Sequence, residues 1–131
     1  MTYLWVALGG ALGSVLRYWC SGLIAHSIGE IFPWGTLVIN MVGSFVIGFV
    51  AVITGPDGRV MVASDARIFV TVGICGGFTT FSSFSLQTLN LARDGEMVYA
   101  GLNVLLSVVL CLVSVWLGYM VASALNQLKG A

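Results

Sequence analysis

Four stretches of this chain, residues 4–24, 34–53, 68–92 and 97–125, carry almost no charge, and each is long enough to cross a bilayer. A helix needs about 20 mainly apolar residues to span the hydrocarbon, and within lipid it satisfies its own backbone N–H and C=O groups. Turn signals separate the runs. Gly29 and Pro33 interrupt "AHSIGEIFP", breakers crowd "TGPDGR", and "RDGE" makes a tight polar link at residues 93–96. The expected fold is an all-α membrane protein with four transmembrane helices in a single domain covering residues 1–131.

Charge supports that reading. Only 8% of the residues are charged, against about a quarter in soluble domains, so the five basic and five acidic groups cannot cover a water-facing surface. Lipid is therefore the expected surroundings. A net charge of zero gives no sign of a nucleic-acid partner. The opening "MTYLWVALGGALG" lacks a basic n-region, so no cleavable signal peptide is expected. Cys20, Cys75 and Cys111 lie in three different runs without CxxC spacing and read as small buried residues.

Four spans put both termini on one side, together with Arg59, Arg67 and Lys129, while Arg93 lies opposite. Such a small basic excess orients a membrane protein weakly. It fits termini in the cytoplasm, and it also fits a chain that inserts both ways and pairs antiparallel with itself.

The polar residues inside the runs narrow the chemistry. Gly9, Gly10 and Gly13 suit close helix approach. Arg17, on the same run, must snorkel, pair or face a wet vestibule, because burial costs at least ~2.5 kcal/mol. Asn40 in "GTLVINMVGS" can join helices or offer N–H donors to a guest. Asn103, Ser107, Cys111 and Ser114 recur at helical spacing along one stripe. They can bond back to the preceding turn or line a path.

Some chemistries are disfavoured. Glu30, Asp57, Asp65, Asp94 and Glu96 all fall in loops or at run ends, and the only histidine, His26, lies in a loop. Proton-coupled exchange of cations normally relies on an acid within the membrane, and the carbonyl filter motif of potassium channels is missing. No nucleophile–base pair or metal-ligand cluster suggests an enzyme.

The segment "GGFTTFSSFS", residues 76–85, is the most informative. Adjacent Gly76 and Gly77 suggest a helix break, which a membrane tolerates only inside protein or beside a water-filled cavity. Freed carbonyls there suit a small hard cation such as sodium. Phe78, Phe81 and Phe84 alternate with Thr79, Thr80, Ser82, Ser83 and Ser85. Phenyl edges are electropositive, and with hydroxyl donors they favour a small, strongly hydrogen-bonding anion.

These motifs together resemble the Fluc (CrcB) family of bacterial and archaeal fluoride channels. The resemblance rests on "GGALGSVLRY", "GTLVINMVGS", "GICGGFTTFSSFS" and the stripe of the last run. It implies an antiparallel, dual-topology homodimer in the inner membrane, with the third helix broken at mid-membrane and two fluoride pores. It further implies a structural sodium held by the Gly76 and Thr79 carbonyls. Phe81, Phe84, Asn40, Ser107, Asn103, Thr80 and Ser82 would line or flank the path, and Arg17 its vestibule. Asn103 stands where many members have tyrosine, and Phe78 replaces a common aliphatic residue. The implied activity is passive fluoride export that lowers the cytoplasmic concentration, without turnover of a substrate. An ion-coupled transporter and a non-conducting assembly subunit are the competing expectations.

Overall fold

A computed structural model describes residues 1–129. Helices α1 (Thr2–Ile28) and α2 (Trp34–Ile53) are followed by α3 (residues 64–78), α4 (Phe81–Arg93) and α5 (Met97–Lys129). Trp34–Ile53, Ser64–Arg93 and Met97–Leu128 are long and apolar enough to cross a membrane. α1 has the length, at 27 residues, but Arg17 and its glycines dilute its apolar character. The chain is a multi-pass membrane protein.

Helix ends follow the turn chemistry. α1 stops where Gly29 takes φ 109°, a conformation that residues with a Cβ rarely adopt. α4 ends in a Schellman turn. Gly95, at φ 83°, donates to the Ala92 carbonyl at 3.2 Å, and Glu96 N–H reaches back to the Leu91 carbonyl at 2.8 Å. α3 starts at Ser64, earlier than the apolar run suggests, with Asp65 in its first turn, where the helix dipole favours a negative charge. Within α3, residues Phe69–Cys75 adopt the wider π-helical winding, for which apolar periodicity gives no signal.

Glycines set the packing. α1 lies against α3 where Gly9 meets Gly73 and Gly10 meets Gly77, and Gly13 abuts the Ile74 carbonyl. α2 and α5 pack reciprocally, Gly48 against the Val115 backbone and Gly118 against Phe45. In lipid no hydrophobic force draws helices together, so close van der Waals contact between small residues must do so. Leu37, Ile39 and Ala122 are buried in this bundle.

At one end of the bundle, the Thr2 hydroxyl donates to Asp65 Oδ1 at 3.3 Å. At that end too, Arg59 N–H donates to Asn126 Oδ1 at 2.8 Å, and the Arg67 guanidinium reaches the Ala51 carbonyl at 3.2 Å. The start of α1, the loop after α2 and the last turns of α5 therefore share one end.

Gly118→Ala should lower unfolding stability by roughly 1–3 kcal/mol, as overpacking does, because the new Cβ meets the Phe45 carbonyl. Gly101→Ala, where a Cβ meets nothing within 4 Å, is the control and should be neutral or slightly stabilising in the same thermal-unfolding assay in detergent.

Candidate functional site

Between α3 and α4 the chain leaves helical geometry for two residues. Thr79 sits at φ −82°, ψ 156° and Thr80 at φ −152°, ψ 114°, both extended. The sequence placed the break on Gly76 and Gly77. Instead α3 runs through both glycines, with Gly76 at φ −63°, ψ −39°. Gly77 lacks a Cβ because the Gly10 backbone occupies that space. The pair is a packing device, and the interruption follows it.

An extended residue inside an apolar bundle exposes backbone groups that need partners. Asn40 supplies them. Its Oδ1 accepts from Thr80 N–H at 2.8 Å, and its Nδ2 donates to the Thr80 carbonyl at 3.0 Å. Asn40 therefore grips one peptide residue through both ends of its amide. In a continuous helix the Thr80 N–H would go to the Gly76 carbonyl, so this grip deprives Gly76 of its helical donor. Cys75 is compensated locally, accepting from Thr79 N–H at 3.0 Å and from the Thr79 hydroxyl at 2.8 Å.

Thr80 also starts α4. Its Oγ1 accepts from Ser83 N–H at 3.1 Å, an N-cap that satisfies one of the first-turn donors. The same hydroxyl lies 3.1 Å from Ser83 Oγ and 3.3 Å from Ser82 Oγ. The hydroxyls of Thr80, Ser82 and Ser83 thus cluster where the helix restarts.

Beside the interruption lies a groove of about 440 Å³ whose lining includes Asn40, Gly76, Thr79, Thr80, Phe81, Phe84, Ser107 and Cys111. Among the described residues, no carboxylate or basic side chain lines it. Phe81 is 77% exposed and Phe84 only 9%, and their rings lie 5.2 Å apart with planes tilted by 51°. Gly76 is exposed at the rim, and an added Cβ there would meet nothing within 4 Å.

Three expected residues sit apart from this lining. Ser82 is exposed. Arg17 is half-buried, with no hydrogen bond or ion pair to the described residues. Asn103 is buried behind the groove, donating through Nδ2 to Thr88 Oγ1 at 2.9 Å and accepting from the Ser107 hydroxyl at 3.4 Å. The stripe of α5 therefore divides. Asn103 and Ser107 join a polar line, Cys111 faces the groove, and Ser114 bonds back to the Leu110 carbonyl at 2.7 Å.

Sequence reasoning missed Thr88 and Gln87. Thr88 lies four residues after Phe84 on the same helix face, a spacing that could have flagged it. Gln87 borders a second cavity of about 490 Å³ near Tyr18, Glu30, Asn90 and Asp94, and its buried Oε1 has no partner among the described residues.

A family model described as CrcB-like protein, Camphor Resistance (CrcB), matches residues 4–119. The chain belongs to the CrcB family. Its relatives include a protein named Fluoride-specific ion channel FluC from Methylocella silvestris, 60% identical over 131 residues and 100% of both chains. A protein of the same name from Rhodospirillum rubrum is 65% identical over 127 residues, 97% of this chain and 98% of its own. Another, from Opitutus terrae, is 64% identical over 129 residues, 98% of each. Membership of the CrcB family agrees with the resemblance carried by the sequence motifs.

Asn40→Leu removes both partners of the Thr80 peptide groups. Each buried group left unpaired costs roughly 1–3 kcal/mol, so the variant should unfold at markedly lower denaturant, and the Thr80 amide should lose hydrogen-exchange protection. Wild-type protection at Thr80 would show that Asn40 does not hold the interruption.

Proposed function

We propose that this chain forms a fluoride-selective channel that passively exports fluoride and so lowers its cytoplasmic concentration. The observation that carries the reading is the groove beside Thr79 and Thr80, which offers hydroxyls and phenyl rings and no carboxylate. Its relatives are named as fluoride-specific channels, which supplies the identity of the anion. An uncharged lining suits passive conduction better than proton coupling, which calls for a titrating acid.

Fluoride must shed water to enter a narrow path, and each lost hydration contact needs a replacement. Ser107 and Thr80 offer hydroxyls, with Ser82 beside them at the start of α4. The edges of Phe81 and Phe84 offer weak positive potential without a fixed charge, so the ion is received and still released. One Nδ2 hydrogen of Asn40 is engaged with Thr80, which leaves the second for a guest. Asn103 acts on the path through Ser107. Arg17, a cation without a partner among the described residues, raises the local concentration of anions at the entrance.

The working unit in this reading is an antiparallel homodimer of four-span subunits, inserted in both orientations in the bacterial or archaeal inner membrane. Exposed Gly76 and Phe81 at the groove rim support a second copy as the missing wall. The interruption then lies at mid-membrane. A structural sodium fits the donor set, because the Gly76 carbonyl has lost its helical donor to Asn40 and Gly76 leaves open space beside it. Carbonyls of Gly76 and Thr79 would hold the ion, supplying neutral oxygen ligands, and the ion would tie the two copies together.

Proteoliposomes containing only this protein should release fluoride rapidly without a proton gradient, with little chloride movement. Phe81→Ile should cut fluoride efflux about tenfold, equivalent to ~1.4 kcal/mol at the barrier, with unchanged size on gel filtration. Wild-type efflux in that variant would remove Phe81 from the path. Absence of fluoride efflux from the folded wild type would sink the channel assignment.

A further inference from the structure

Behind the groove, the polarity of one hydrogen-bond line follows from its first member. The Thr88 hydroxyl lies 2.8 Å from the Phe84 carbonyl, and a carbonyl can only accept, so the single Thr88 proton is committed there. Thr88 Oγ1 is left as an acceptor toward Asn103, 2.9 Å away. The Asn103 amide must therefore turn its Nδ2 to Thr88, which aims Oδ1 at Ser107. An amide oxygen accepts only, so Ser107 donates its proton to Asn103, across a long 3.4 Å contact. Asn103 is 2% exposed, so water cannot relax the arrangement from outside.

We propose that Thr88 is a positioning residue that sets the direction of this line, so that the Ser107 proton rests on Asn103 until an anion in the groove draws it away. The inference rests on the fluoride reading above. Ser107 lines the groove, and its hydroxyl can turn between the buried amide oxygen and a guest. The long contact makes the proton easy to recover, yet Asn103 still competes with the anion for it. Thr88 thereby keeps anion binding at Ser107 weak, as rapid passage requires.

Thr88→Val keeps the shape and removes the hydroxyl. Asn103 then loses the acceptor that fixes its amide, turns Nδ2 toward Ser107, and frees the Ser107 proton for the groove. The fluoride concentration giving half-maximal efflux from proteoliposomes should fall at least threefold. Thr88→Ser should restore the wild-type value, and the shift should vanish when Thr88→Val is combined with Ser107→Ala. In parallel, the Asn103 side-chain amide protons, observed by nitrogen-15 NMR, should move in Thr88→Val and return in Thr88→Ser. An unchanged half-maximal concentration, or an equal shift in the Ser107→Ala background, overturns the positioning role while the channel reading stands. Wild-type vesicles without fluoride efflux overturn both, and the NMR signals then report only a structural bond.

Discussion

The rest of this structure depends on the grip of Asn40 on the Thr80 peptide groups. A polypeptide in lipid cannot leave backbone groups unpaired without a cost of several kcal/mol each, and a helix normally meets that requirement by itself. Two extended residues inside the bundle violate it. An asparagine amide carries its donor and its acceptor on separate atoms, so it can pair with the N–H and the C=O of one residue and replace the helix at one point without introducing charge. Thr80 then restarts the helix with its own hydroxyl. The groove exists because a break in α3–α4 has been made affordable on one side and left open on the other.

Glycine packing determines where that break sits. α3 is pressed against α1 through Gly73 and Gly77, and α2 is pressed against α5 through Gly48 and Gly118. Gly43 makes room for the methyl group of Thr79, which brings α2, and with it Asn40, to the interruption. Backbone proximity, rather than any large side chain, thus carries the amide to its target.

Much of this was legible in the sequence, for identifiable reasons. Charge depletion reported helices and lipid. The "RDGE" turn was readable because only a left-handed residue completes a Schellman motif, and Gly95 takes that position. Membership of the CrcB family was readable in "GGFTTFSSFS". The location of the break was not, because two adjacent glycines look alike whether they end a helix or admit a neighbouring backbone. The choice depends on Gly10, far away in the chain. For the same reason Asn40 could not be assigned from α2 alone, since its partner lies 40 residues on. Spacing places Thr88 on the face of Phe84, but its role was not legible, because a lone threonine on a helix ordinarily bonds back to the preceding turn. It does so here, and the lone pair it keeps free is what Asn103 uses.

The short turn closed by Gly95 has a consequence for how this chain can vary in length. Exposed polar turns usually accept insertions readily. This one sits between Thr88 and Asn103, whose side chains must meet across two antiparallel helices. One added residue would wind α5 by about 100° relative to α4 unless the turn absorbed it, carrying Asn103 and Ser107 together off the face that meets α4. A surface link that lies outside the groove thus acts as a ruler for the buried line, and its length is constrained by the same contact.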